Sequence, residues 1–376
     1  MKQTFLFLLL VFTVASTQAQ KNLLNLIVGT YTNTCYSKGI YVYEFDTNNA
    51  QMRLKKSSDS IVNPSYVAVS KDNKFIYAVN ENGGESTVSS FAFDQVNGKP
   101  SFINKESSKG ADPCYIINDD KNVIVANYSG GNISVFGIKQ DGGITEAKQV
   151  VQHYGKGANA DRQEKAHAHM VYFSPDKKYV LSNDLGNDKV YVYNYDPSRS
   201  VGTTAEILTL KDSVSVKAGS GPRHLTFSKN GKFVYLLQEL DASLTTFSYA
   251  DGKLTQINET SILAKDFKGT FGSADIHISP NGKFLYASNR GDANTISIFK
   301  VSKKGKLESR GQISTLGKGP RNFVIDPTGK FLLVAHQYTN DIMIFKIHKR
   351  KGTLTDTGKK IDLCSPVCLV FSNVKK

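Results

Sequence analysis

The chain has 376 residues, of which 40% are hydrophobic and 21% charged. This is globular composition; it excludes a low-complexity or disordered chain and leaves ample length to bury a core. The formal charge is +14, but the lysines are scattered, many in turns (Lys74, Lys232, Lys283, Lys330), and no Lys/Arg run interleaves with aromatics, which argues against nucleic acid as a partner.

The N-terminus reads as a signal peptide over residues 1–19. Lys2 supplies a charged start, Phe5 to Val14 an apolar run, and Ser16 to Ala19 a small-residue cleavage site. The run is too short to span a bilayer and no later run matches it, so no membrane insertion is expected after cleavage. Residues 20–376 are expected as one exported domain, periplasmic or extracellular. Export permits disulfides among Cys35, Cys114, Cys364 and Cys368. Cys364 and Cys368 lie in one probable strand, some 13 Å apart if extended, too far to bridge without a bend. Cys114 and Cys368 fall in inner strands and read as buried thiols.

A repeat dominates the rest. Its copies are NPSYVAVSKDNKFIYAVNE from Asn63, DPCYIINDDKNVIVANY from Asp112, HAHMVYFSPDKKYVLSND from His167, GPRHLTFSKNGKFVYLLQE from Gly221, SADIHISPNGKFLYASNR from Ser273 and GPRNFVIDPTGKFLLVAHQ from Gly319. A partial copy, SPVCLVFSN, starts at Ser365. The spacing is roughly 46 to 55 residues, which is a propeller period. Each copy alternates apolar and polar residues with period two around an Asp/Asn/Gly/Lys turn, so each is a hairpin. A third alternating strand and a more polar fourth follow each copy. The pattern therefore predicts an all-β, seven-bladed β-propeller with four antiparallel strands per blade. The seventh hairpin lacks its second strand, and NLLNLIVGTY from Asn22 supplies it, so the ring is expected to close by pairing the N- and C-terminal strands.

The first strand of a blade lines the channel. Its start and the end of the second strand lie at the same mouth. The strand starts bring Asn63, Asp112, His167, His169, Arg223, His224, Asp275, Arg321 and Asn322. The strand ends bring Glu81, Asn127, Asn183, Asp184, Gln238, Glu239, Asn289, Arg290, His336 and Gln337. Two longer connections, 153–165 with Arg162 and 265–272, are expected over the same mouth as lids or walls. Arg223, Arg290 and Arg321 can hold a carboxylate or phosphate. His167, His169, His224 and His277 offer bases near neutral pH. Glu239 would share that work if burial raises its pKa. This set suits attack of water on an ester or lactone carbonyl with arginine stabilising the oxyanion. There is no GxSxG, so a serine nucleophile is not indicated. His167 and His169 as alternate strand residues could also share a metal, but spacing fixes no carboxylate partner, and none is expected.

GPRHLTFSKNGKFVYLLQELD, SADIHISPNGKFLYASNRG, GPRNFVIDPTGKFLLVAHQ, HAHMVYFSP and NYSGGNISVF resemble the seven-bladed lactonase family. That family includes the propeller-type 6-phosphogluconolactonase and the fungal carboxy-cis,cis-muconate cyclase. The resemblance spans nearly all of the mature chain. It implies lactone opening or formation without a cofactor, on a small anionic sugar lactone such as 6-phosphogluconolactone. It further implies one of His167 and His169 as acid/base, Glu239 as a second, and Arg223 and Arg290 as catalytic partners. Arg321, Asp275 and His277 match further family motifs. With His224, Asn127, Asn183, Gln238, Asn289 and Arg162 they are the expected substrate-binding set. His336 stands where the family pattern has Asn. The competing readings are a non-catalytic carbohydrate- or protein-binding propeller and a cycloisomerase of a muconate-type dicarboxylate.

Overall fold

The computed structural model describes residues 22–199 and 206–374. The predicted signal segment, residues 1–19, lies outside the described residues. Seven four-stranded antiparallel sheets form the blades of a ring. Blade 4 shows the plan: Ala168–Phe173, Tyr179–Asp184, Lys189–Tyr195 and Leu208–Ser215 pair in sequence order. The first strands of neighbouring blades touch one another all the way round, so they line the channel. Blade cores are built from the alternating apolar residues, and successive blades share them. Val180, Leu181 and Val192 of blade 4 pack in one cluster with Leu225 and Leu236 of blade 5. Fourth strands are mostly polar and exposed, as in Leu307–Ser314, which suits an outer edge facing water. Among the described residues no helix is long and apolar enough to cross a membrane.

The entry to the inner strand repeats in detail. In five blades it is an X-Pro step whose first residue has positive φ: Asn63 (35°), Asp112 (52°), Gly221 (70°), Gly319 (72°) and Ser365 (37°). Gly, and to a lesser degree Asn and Asp, tolerate this region, which explains four of the five residues. The inner strand then bulges. Pro113 pairs with Asn127 but Tyr115 with Ala126, which leaves Cys114 unpaired. The same shift leaves out His169 in blade 4, Arg223 in blade 5 and Arg321 in blade 7. In blade 6 the irregularity spans Ala274 and Asp275.

Ring closure follows the sequence expectation. Pro366–Asn373 pairs with Leu23–Thr30, with Leu24 opposite Asn373 and Gly29 opposite Cys368. This joins the two ends of the chain in blade 1. A disulfide between Cys35 and Cys364 clamps the same seam, linking residues 329 apart in sequence. Cys114 and Cys368 are buried free thiols.

The closing strand buries Val367, Cys368 and Leu369. At roughly 1.5–3 kcal/mol for each large apolar side chain, their loss is comparable with a total stability of about 5–15 kcal/mol. It would also bare the edge of Leu23–Thr30. Deleting residues 366–376 should therefore abolish the cooperative thermal transition or drive the protein into aggregates, read by circular dichroism and gel filtration. A monomeric truncated chain with unchanged melting would refute closure by this strand.

Candidate active site

The mouth at the strand-start end holds a bowl of about 400 Å³ lined by Glu81, Asp112, Cys114, Tyr128, Ser129, Arg162, His169, Glu239, Arg290 and Arg321. Six of the seven blades contribute to it. Cys114, His169 and Arg321 reach it from bulge positions, because the extra residue escapes the ladder and turns its side chain to the channel. Glu239 and Arg290 arrive from, or just beyond, the ends of second strands, and Arg162 from the long connection of blade 4.

Glu239 is the organising group. Its Oε2 accepts a 2.8 Å hydrogen bond from Arg223 Nε. Its Oε1 accepts one of 2.8 Å from Arg162 Nη2 and lies 3.2 Å from Arg290 Nη2. His169 Nε2 stands 3.9 Å from Oε2. Burial alone would raise the Glu239 pKa, but Arg290, Arg223, His169 and Arg162 outweigh it and hold the carboxyl well below its ordinary value. The expectation that burial would raise this pKa is therefore corrected: Glu239 stays ionised, and its three guanidiniums are the reason. Burial, reinforced by Arg223, pushes His169 well below the usual imidazole value, so its ring is neutral at neutral pH. The Cys114 thiol lies 3.3 Å from the His169 carbonyl oxygen and 3.7 Å from its Nδ1. Burial pushes that thiol upward, so it stays protonated.

The other candidates separate into layers. Arg223 is 2% exposed and sits beneath the bowl. Its Nη1 donates to the Ala274 carbonyl and contacts His224 Nε2 at 3.2 Å. Burial lowers its pKa to about 10, with Arg290 adding to the effect. It supports Glu239 from below rather than lining the bowl. Deeper in the channel, Asp275 meets His224 Nδ1 at 2.9 Å, His277 Nε2 at 3.0 Å and the Asn322 amide at 2.6 Å. Burial, then Arg223, lowers His224 to about 4. Burial works against charge on His277 too, but Asp275 outweighs it and raises that pKa. Asp275, His224 and His277 thus form a channel plug below the bowl, away from its lining.

His167 does not share a face with His169. The bulge at His169 breaks the alternation that would place them together. His167 stacks on Tyr128 at 4.5 Å, and its Nε2 lies 3.1 Å from Glu164. The two rings therefore do not converge as a metal pair, and among the described residues no group of three or more His, Cys, Asp or Glu could hold a metal ion.

Asn127, Gln238 and Asn289 turn away from the bowl. Asn127 donates to the Ser108 carbonyl, Asn132 and Ser134. Gln238 donates to Ser243 and Thr245. The Asn289 amide oxygen accepts from Gly272 N. Asn183, one position earlier in its strand, donates to the Arg223 carbonyl. His336 is likewise turned inward to Asp341 at 2.6 Å. The register gives the reason. The residue opposite the inner strand's entry bonds within its blade, and the next residue faces the mouth. That next residue is Tyr128, Glu239, Arg290 or Gln337. Tyr128, Ser129 and Cys114 are bowl residues that sequence reasoning passed over; the repeat register was the signal that could have found Tyr128. Both long connections reach the mouth. Arg162 Nη2 also bonds Tyr128 OH at 3.2 Å, and Gly272 accepts from Arg290 Nε at 3.1 Å.

Comparisons with known proteins agree with this architecture. A 6-phosphogluconolactonase of Bacillus subtilis is 34% identical over 349 residues, 92% of this chain and 97% of that protein. A crystal structure of a Bacteroides fragilis protein, provisionally named as a 6-phosphogluconolactonase, superposes with a TM-score of 0.89 at 42% identity, covering 93% of this chain and 98% of that one. The structure of a Pseudomonas aeruginosa periplasmic gluconolactonase gives a TM-score of 0.86 at 32% identity, covering 94% and 100%. The profile of the lactonase family with a seven-bladed β-propeller matches residues 25–371. With the family profile covering nearly all of the described chain, the chain belongs to the seven-bladed β-propeller lactonase family.

Proposed function

We propose that the protein hydrolyses a sugar lactone, with His169 as the base that activates water and Glu239 as its ionised partner. The observation that carries this is the 3.9 Å gap between His169 Nε2 and Glu239 Oε2 inside an arginine-lined bowl. The gap is too long for a direct hydrogen bond and suits a water donating one proton to each group. The Cys114 thiol donates toward the His169 carbonyl, so Nδ1 carries the ring proton toward sulfur and leaves Nε2 as the base. As water oxygen bonds to the lactone carbonyl carbon, His169 takes its proton. Arg290, Arg162 and Arg321 face the oxygen that becomes negative. The ring C–O bond then breaks, the imidazolium returns the proton to the leaving alkoxide, and the product is the open hydroxy acid. No step calls on a cofactor.

The names of the relatives support 6-phosphogluconolactone and gluconolactone as the first substrates to test. Export is proposed for the same chain. Its apolar N-terminal run and the Cys35–Cys364 bridge both suit an oxidising compartment outside the cytoplasm.

Acid release from a panel of sugar lactones should exceed the no-enzyme rate. If no lactone opens faster than in buffer, a non-catalytic binding propeller replaces this reading. Changing His169 to Ala should lower kcat by about 10²–10⁴-fold, the usual worth of a general base, with melting retained. Glu239→Gln should lower both activity and stability, since removing one partner of a buried charge network costs about 3–5 kcal/mol; activity and thermal melts read the two effects separately. Because burial and Arg223 depress the His169 pKa below its ordinary value of 6.5, the ring loses its function only on protonation. Blank-corrected kcat/KM should then stay level from neutral to mildly acidic pH and fall only below the ordinary imidazole range. A decline centred at 6.5 or above would assign the base elsewhere.

A further inference from the structure

A second cavity of about 390 Å³ adjoins the bowl, and Glu81 and Asp112 line both. Its other walls are Tyr31, Asn33, Thr34, Asn63, Asn82, Gly83 and Gln337, from blades 1, 2 and 7. The two lobes differ in their cations. Arg162, Arg290 and Arg321 line the first. Among the residues lining the second there is no Lys, Arg or His, and the charged groups are the two carboxyls.

The second lobe is rich in acceptors. Asp112 spends Oδ1 on Gly83 N at 2.9 Å. Gln337 lines the lobe, with its Oε1 turned into the protein rather than toward the cavity. Tyr31 OH donates to Glu81 Oε2 at 2.9 Å, and its ring carries the Arg321 guanidinium at 5.5 Å, marking the border between the lobes. A phosphate or carboxylate at this end would meet two carboxyls and no cation. Hydroxyl groups would instead donate to the carboxyls and accept from amide N–H groups. The wall is also held in place. Thr32 N and Oγ1 both bond Asn63 Oδ1, and the disulfide at Cys35 fixes the same loop to the seam of the ring. A pre-fixed wall lowers the ordering cost of binding.

Resting on the lactonase reading, we propose that this second lobe is a subsite for a neutral glycosyl extension, so that the favoured substrates are aldonolactones carrying a second, uncharged sugar. The reacting ring occupies the arginine lobe and the extension lies toward Tyr31 and Gln337.

The test compares D-glucono-δ-lactone with cellobiono-δ-lactone in the full chain, with each spontaneous rate subtracted. The extended lactone should show kcat/KM higher by about tenfold, equivalent to about 1.4 kcal/mol. Asn33→Trp, which places a large ring in the wall of the lobe, should bring the ratio of the two substrates toward one. Equal kcat/KM in the unaltered protein, or a ratio untouched by Asn33→Trp, would overturn the proposal and leave the lactonase reading intact. If neither lactone is hydrolysed, calorimetry with cellobionate and gluconate decides the subsite, and the lactone panel decides the lactonase reading. Tighter cellobionate binding that is lost in Asn33→Trp upholds it; equal binding overturns it.

Discussion

The bulge near the start of the inner strands governs where chemistry can occur in this ring. A regular ladder would turn alternate inner-strand residues toward the channel at fixed heights. Skipping one pairing frees a residue at the mouth and resets the alternation behind it. Cys114, His169, Arg223 and Arg321 are those freed residues. Four side chains from four blades are thereby aimed at one axis, two of them guanidiniums and one an imidazole. The left-handed X-Pro steps before several inner strands lead the chain into this geometry.

Gathering guanidiniums around an axis carries an electrostatic cost that Glu239 offsets. It holds Arg162, Arg223 and Arg290 through its two oxygens. Without it, three cations would share a poorly hydrated space. Asp275 plays the matching part deeper down, between His224, His277 and Asn322. The two carboxylates are linked through Arg223 and His224, so a continuous polar network joins the bowl to the interior. Burial and Arg223 keep His169 neutral against the pull of Glu239, which is the state a proton acceptor requires.

The repeat made the fold legible in advance. Alternation and turn residues recur in each hairpin, and the missing last strand pointed to closure by Asn22–Tyr31. The site was legible at the level of which end of the ring carries it, and His169, Glu239, Arg290, Arg321 and Arg162 do meet there. What period-two reasoning could not supply was the bulge. One skipped pairing separates His167 from His169 and frees Arg223 from the ladder. Asn127, Gln238 and Asn289 were misplaced for a related reason: strand ends were treated as one group, whereas neighbouring residues there face opposite ways. Glu239 shows a different limit. Its burial was foreseeable, but the sign of its pKa shift depends on three arginines from blade 5, blade 6 and the loop of blade 4. No local stretch of sequence shows that they converge.

Because blade 1 takes its innermost strand from Pro366–Asn373 and the other three from residues 23–57, the ring stays an open arc until that strand has left the ribosome. Blades 2 to 7 can form their own sheets in order as they emerge. Tyr31 and the wall it anchors cannot settle until the arc is sealed. A growing polypeptide therefore carries the side chains of the bowl without a finished cavity, and the complete bowl arrives in a single late event rather than accumulating blade by blade.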